Sequence, residues 1–134
     1  MRLMLDTNIC IAIIKQKPKD ILHKFSAYQV GDICISSVTL AELRFGVAKS
    51  QYQHKNQIAL DEFILPLEVA PFDERAALYY GALRAELEKQ GMPIGSLDTM
   101  IAAHALSLDV SLVTNNTKEF QRVIGLKLLD WISH

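Results

Sequence analysis

Four short apolar runs divide the chain: residues 2–5 ("RLML"), 32–36 ("DICIS"), 67–72 ("LEVAPF") and 111–114 ("SLVT"). Between each pair lies a stretch with helical periodicity. Short strands that are apolar throughout belong to sheets covered on both faces, and parallel neighbours need long connections, usually helical. Strand–helix alternation therefore predicts an α/β fold with a short, mostly parallel central sheet of four or five strands and helices on both faces. Helices are expected over about 7–15, 18–27 (just after Pro18), 38–50, 53–64, Glu74–Lys89 and 97–108, with a short one over 116–123. In the third of these, Val38, Ala41, Phe45 and Ala48 recur at helical spacing. A last strand is expected near "LKLLD" (126–130). The Gly/Pro stretch "QGMPIGS" breaks the long helix. No repeat or linker separates a second unit, so residues 1–134 read as one domain.

Composition then narrows the function. The formal net charge is −1 and the pI ≈ 6.4. A protein that held nucleic acid by bulk attraction would be basic, so any such contact here must be local, or transient and catalytic. Cys10 and Cys34 lie in apolar stretches without CxxC spacing and read as buried thiols of a reducing compartment. Asp6 interrupts any signal-peptide core, and "ICIAII" is too short to span a bilayer. A cytoplasmic protein without membrane contact is expected.

In open sheets of this kind, sites form beyond the carboxyl ends of the strands. Asp6, Glu42, Asn116 and Glu119 each follow closely after a strand, and Asp98 opens a helix. Each has a bland reading beside the chemical one. Asp6 fits a helix cap, yet Asn8 adds a second polar group that a cap does not need. Glu42 completes a capping box with Thr39, unless Ser36 or Ser37 caps instead and places Glu42 deeper in the helix. Gly46, one turn on, leaves room beside it. Asp98 suits a helix N-terminus. Asn116 fits turn chemistry, and Glu119 fits a solvated helix face. Together they place an acidic or amide group at several points along one sheet edge. Carboxylates gathered so closely raise each other's pKa, and a divalent cation among them removes the conflict. Oxygen ligands suit Mg²⁺ or Mn²⁺ rather than zinc. His23, His54, His104 and His134 are scattered, none of them one helical turn from a candidate carboxylate. With no P-loop, GxGxxG or GxSxG, metal-assisted phosphodiester hydrolysis is the chemistry that fits.

The stretches "MLDTNICI", "ISSVTLAELRFGVAKS", "PIGSLDTMIAAHAL" and "LVTNNTKEF" together resemble the PIN-domain ribonucleases, specifically the VapC toxins of VapBC toxin–antitoxin systems. The resemblance spans essentially the whole chain and implies a single PIN domain. It also implies a Mg²⁺- or Mn²⁺-dependent endoribonuclease with Asp6, Glu42 and Asp98 as its carboxylates. A cognate VapB-type antitoxin, a homodimer and a toxin–antitoxin hetero-oligomer follow from the same likeness, as does initiator tRNA, cut in its anticodon region, as the RNA substrate. One departure stands out: many PIN domains carry an Asp where this chain has Asn116. Glu119, one turn later, is a candidate for the missing charge.

On this reading Asp6 and Asp98 are the principal metal ligands, Glu42 and Asn116 complete the set, and Glu42 and Glu119 place metal or water. Arg2, Lys15, Arg44, Arg84, Lys118 and Arg122 are candidates for steering RNA. Two rival readings stay open. One is a Mg²⁺-dependent small-molecule phosphohydrolase using Asp6 as nucleophile. The other is a non-catalytic interaction module acting within a repressor complex. Ile13, Leu22 and Phe25 are assigned to the core.

Overall fold

The computed structural model describes residues 1–132, so His134 lies outside the described residues. The sheet holds β1 (Leu3–Leu5), β2 (Ile33–Ser36), β3 (Glu68–Ala70), β4 (Ser111–Val113) and β5 (Leu128–Leu129). They are parallel throughout, in the order β3-β2-β1-β4-β5. The helices are α1 (Thr7–Lys15), α2 (Ile21–Ser26), α3 (Ser37–Ala48), α4 (Gln53–Ile64), α5 (Glu74–Lys89), α6 (Ser96–Leu108) and α7 (Thr117–Phe120).

Register explains why the strands look apolar throughout. Leu3, Ile33 and Ser111 stand side by side, then Met4, Cys34 and Leu112, then Leu5, Ile35 and Val113. Because side chains alternate along a strand, the outer two rows face one way and the middle row the other. Leu3, Leu5, Ile33, Ile35 and Val113 pack with Ile9 and Ile13 of α1, Leu43 of α3 and Leu60 of α4. Met4, Cys34 and Leu112 pack with Ile101, Ala102 and Ala105 of α6 and with Phe120. Burial of each large side chain contributes roughly 1.5–3 kcal/mol, so both faces hold the fold. Ile13 is buried, and Leu22 and Phe25 pack against the same cluster, as expected. Cys10 and Cys34 are buried free thiols. Burial pushes the Cys34 thiol up to about 11 and that of Cys10 well above its ordinary value.

Several boundaries differ from expectation. The second helix starts at Ile21, three residues past Pro18. The third starts at Ser37 because the Ser36 hydroxyl accepts the Val38 N–H at 3.1 Å and caps it. The last helix is a single turn that ends at Phe120, whose buried ring anchors it. Among the described residues no helix is long and apolar enough to cross a membrane.

Strand order sets the place of the site. From β1 the chain builds β2 and β3 to one side, then crosses back to lay β4 and β5 on the other. Connections that leave in opposite directions open a crevice at the carboxyl ends of β1 and β4, where ligands of open α/β sheets bind.

Candidate active site

Asp6 emerges at that crevice directly after β1. Its carboxylate accepts the Ile9 N–H at 2.9 Å and caps α1, so the bland reading is correct as far as it goes. Asp6 is also buried, at 4% exposure. Burial raises its pKa, and the nearby Glu42 raises it further. Hydrogen bonds from the Thr114 hydroxyl and the Ile9 and Asn8 amides oppose the rise. Thr114, fully buried just past β4, also accepts the Asn116 N–H at 3.0 Å. Thr114 thus ties the two strand ends of the crevice together.

Glu42 is not part of a capping box. Ser36 is the cap, and Glu42 lies further along α3, where its Oε1 accepts the Thr7 hydroxyl at 2.8 Å. That bond joins the first residue of α1 to α3. A Cβ at Gly46 would meet no atom within 4 Å, so the space beside Glu42 is open.

Asp98 stands in the first turn of α6, where the helix dipole favours negative charge. It is not the cap, a position held by Gly95. Its carboxyl is pushed up to about 6, first by burial, then by the negative charges of Glu119, Asp6 and Glu42. The four acidic side chains singled out from the sequence therefore act on one another.

Glu119 is no free surface residue. Its Oε1 accepts the Gly95 N–H at 3.1 Å, and its Oε2 accepts the Asn116 side-chain amide at 2.9 Å. Asn116 orients Glu119, and Glu119 pins α7 to the start of α6. Charge and orientation, which a single Asp would combine, are divided between two residues here.

Among the described residues, no ion pair involves any of these four carboxylates. Nor do three acidic, histidine or cysteine side chains there close on a point that would hold an ion as they stand. Repulsion, together with the bonds from Thr7 to Glu42 and from Gly95 and Asn116 to Glu119, accounts for the separation. The donor set is hard oxygen, it lines a crevice, and its like charges add to burial in raising Asp98. Those features fit a divalent cation of the Mg²⁺ or Mn²⁺ type.

The basic candidates divide. Arg2, Arg44 and Arg84 pair with Asp32, Asp61 and Glu88 at 3.9, 2.8 and 3.0 Å. Arg122 donates to the Pro93 carbonyl at 3.2 Å, in the loop before Asp98. Lys118 is exposed. Lys15 lines a groove of ≈ 330 Å³ that Glu42 also lines. Reading the sequence missed Thr7, Thr114 and Lys49. Lys49 lines a second groove of ≈ 740 Å³ with Thr7, Asn8 and Glu42. The hydroxyls had a signal, because each lies beside or within a motif that carries an acid or amide group.

A family model described as the PIN domain matches residues 3–126. The chain is 48% identical over 131 residues, 98% of each chain, to the tRNA(fMet)-specific endonuclease VapC of Shigella flexneri. To the protein of the same name in Salmonella typhimurium it is 44% identical, again over 98% of each chain. A solved structure of VapBC2 from Rickettsia felis, bound to a DNA fragment from their promoter, superposes with a TM-score of 0.93 at 42% identity. That match covers 98% of this chain and 100% of the other. The chain belongs to the PIN-domain family and, within it, to the VapC ribonucleases.

Proposed function

We propose that this chain is the toxin component that cleaves initiator tRNA with Mg²⁺ as its natural cofactor, through Asp6, Glu42, Asp98 and Glu119. PIN-domain nucleases generally depend on a divalent metal. What supports the site assignment is the gathering of Asp6, Glu42, Asp98 and Glu119 at the crevice, where burial first and then the three like-charged neighbours raise Asp98 to about 6.

Asp6 and Asp98 would hold the metal, with Glu42 and Asn116 completing the set. A bound Mg²⁺ supplies charge neutralisation at the scissile phosphate and lowers the pKa of water. The protein's own residues do the rest. Thr114 and the Ile9 amide fix the Asp6 carboxylate. Thr7 holds Glu42, and Asn116 holds Glu119. Glu42 and Glu119 would place further metal or the attacking water. In-line attack at phosphorus leaves a 5′-phosphate and a 3′-hydroxyl. Lys15 and Lys49, beside Glu42, supply the local positive charge that a net acidic protein needs to receive RNA.

The tRNA(fMet) preference named for the two enterobacterial relatives supports initiator tRNA as substrate. An anticodon loop suits the site because its bases are splayed and reachable, whereas A-form duplex hides its major-groove edges. The VapBC complex compared above supports a VapB-type antitoxin and DNA binding by the hetero-oligomer. The ribonuclease relatives weigh against a small-molecule phosphohydrolase and against a non-catalytic module. The test is to incubate antitoxin-free protein with total RNA in Mg²⁺, with chelator and Asp98→Asn controls, and to map the cut ends. One dominant cut in initiator tRNA, absent from both controls, is the expected result. Cutting that persists in chelator would overturn the metal assignment.

A further inference from the structure

His104 sits in α6 with 1% exposure, on the sheet face that Cys34 and Ser36 share by register. Its Nδ1 lies 2.8 Å from the Ser36 hydroxyl. That hydroxyl also accepts the Val38 N–H at 3.1 Å, which leaves it one lone pair and its own proton for His104. The direction is set on the other side of the ring: the Pro71 carbonyl can only accept, so with Nδ1 at Ser36 the ring proton on Nε2 faces Pro71, and the neutral ring's Nδ1 accepts from the Ser36 hydroxyl. Burial lowers the imidazole pKa, while Asp73 and the Pro71 carbonyl act the other way. The neutral ring this network needs is thus the form present at neutral pH. The Phe72 ring meets the imidazole edge-on at 5.4 Å, and the Phe72 N–H donates to the Ser37 hydroxyl at 2.9 Å.

The geometry gives this network a role in the site. Ser36 caps α3, and Glu42 lies six residues further along the chain. Asp98 lies six residues before His104 on α6. The Ser36–His104 bond joins the two helices at one end, and Glu42 and Asp98 act on each other about 9 Å along each helix axis from it. We propose that His104 is a positioning residue: by accepting from Ser36 it fixes α3 against α6, and so fixes Glu42 relative to Asp98. This role rests on the metal-dependent ribonuclease reading above.

Paired variants test it. In His104→Asn the side-chain amide reaches the place of Nδ1 and keeps a partner for Ser36. In His104→Gln it reaches the place of Nε2 and keeps only the bond to Pro71. Ser36→Ala removes the inter-helix bond from the other side and serves if His104→Gln melts too low to assay. Mn²⁺ affinity, read from the free-ion paramagnetic resonance signal, is measured beside kcat and KM on tRNA and the ¹⁵N spectrum of the imidazole. Wild type should show an unprotonated Nδ1 and a protonated Nε2. His104→Gln and Ser36→Ala should weaken Mn²⁺ binding and lower kcat by about 10-fold with KM for RNA unchanged. His104→Asn should keep wild-type affinity. Wild-type Mn²⁺ affinity in His104→Gln, equal losses in the Asn and Gln variants, or a protonated Nδ1 would overturn the proposal. If wild type itself bound no Mn²⁺, the metal site would fall, and this role with it.

Discussion

Helices α3 and α6 share two polar clusters, and the two are built on opposite principles. At the Ser36–His104 end each bond completes the next: Val38 donates to Ser36, Ser36 to His104, His104 to Pro71. At the Glu42–Asp98 end the groups are all acceptors of the same sign, and Asp98 is displaced to about 6. A satisfied buried network rigidifies its surroundings, whereas like charges held close raise the cost of ionising each of them. Both clusters occur in one small domain, so general tolerance of buried polar groups does not explain the second. On the proposed reading the satisfied end holds the helices in place, and a cation would offset the like charges at the other.

The contrast breaks most visibly in activity. Asp98→Asn keeps the shape and removes the charge at the centre of the cluster. Cleavage of initiator tRNA should fall about 10²–10⁴-fold, because losing a metal ligand forfeits several kcal/mol of transition-state charge stabilisation, as read by single-turnover assay. Cleavage within a few-fold of wild type would show that Asp98 serves the helix end alone.

Next in size is the response to metal. A ligand that binds only the native state stabilises it by RT ln(1 + [L]/Kd), about 2.7 kcal/mol at 100-fold excess over Kd. Mg²⁺ at that excess should raise the wild-type melting temperature after chelator treatment, and should raise that of Asp98→Asn far less. Equal shifts in both would place the cation elsewhere.

How much of this was visible in the chain follows from the range of each interaction. Alternation of apolar strands and helices is local, so the parallel sheet could be read, and the strand-end rule then placed Asp6, Glu42, Asn116 and Glu119 together. Element ends were less legible. Val38 looked like a helix start because it opens the spacing with Ala41, Phe45 and Ala48, and Ser36, Ser37 and Thr39 competed as caps until the Ser36–Val38 bond decided it. The Thr7–Glu42 and Ser36–His104 bonds span 35 and 68 residues. No local pattern signals them, and His104 looked like one scattered histidine among four. Asn116 and Glu119 were legible as rivals for one role. Only the geometry shows one holding the other.

A smaller effect separates the two clusters in the absence of metal. The folded Asp98 titrates near 6, above the ordinary 3.8, so between those values the native state binds more protons than the unfolded chain. Stability contributed by the protonated form is present below pH 3.8 and lost as pH rises through 6. Asp6 is raised in the same direction. Asp98→Asn removes that slope. In chelator its melting temperature should match wild type near pH 4 and exceed it at pH 7. The gap should be about 1 kcal/mol, reduced because Asp98 is only half buried and solvent screens it. A variant that melts lower than wild type at pH 7 would make the helix-end role the dominant one.

The smallest effect concerns Thr7, the residue that holds Glu42 to its own side of the crevice. Thr7→Val keeps the volume and removes the hydroxyl, leaving Glu42 without the 2.8 Å donor. Because Thr7 and Glu42 are only half buried, water replaces much of that bond. The metal-free protein should lose about 0.5–1 kcal/mol, while Thr7→Ser, which keeps the donor, should lose less. Urea melts of the three proteins in chelator measure this directly. A loss of several kcal/mol in Thr7→Val would mean that Glu42 is sealed from solvent and belongs with the satisfied cluster. No difference between Val and Ser would mean that the bond holds nothing, and that repulsion from Asp6 and Asp98 alone keeps Glu42 apart.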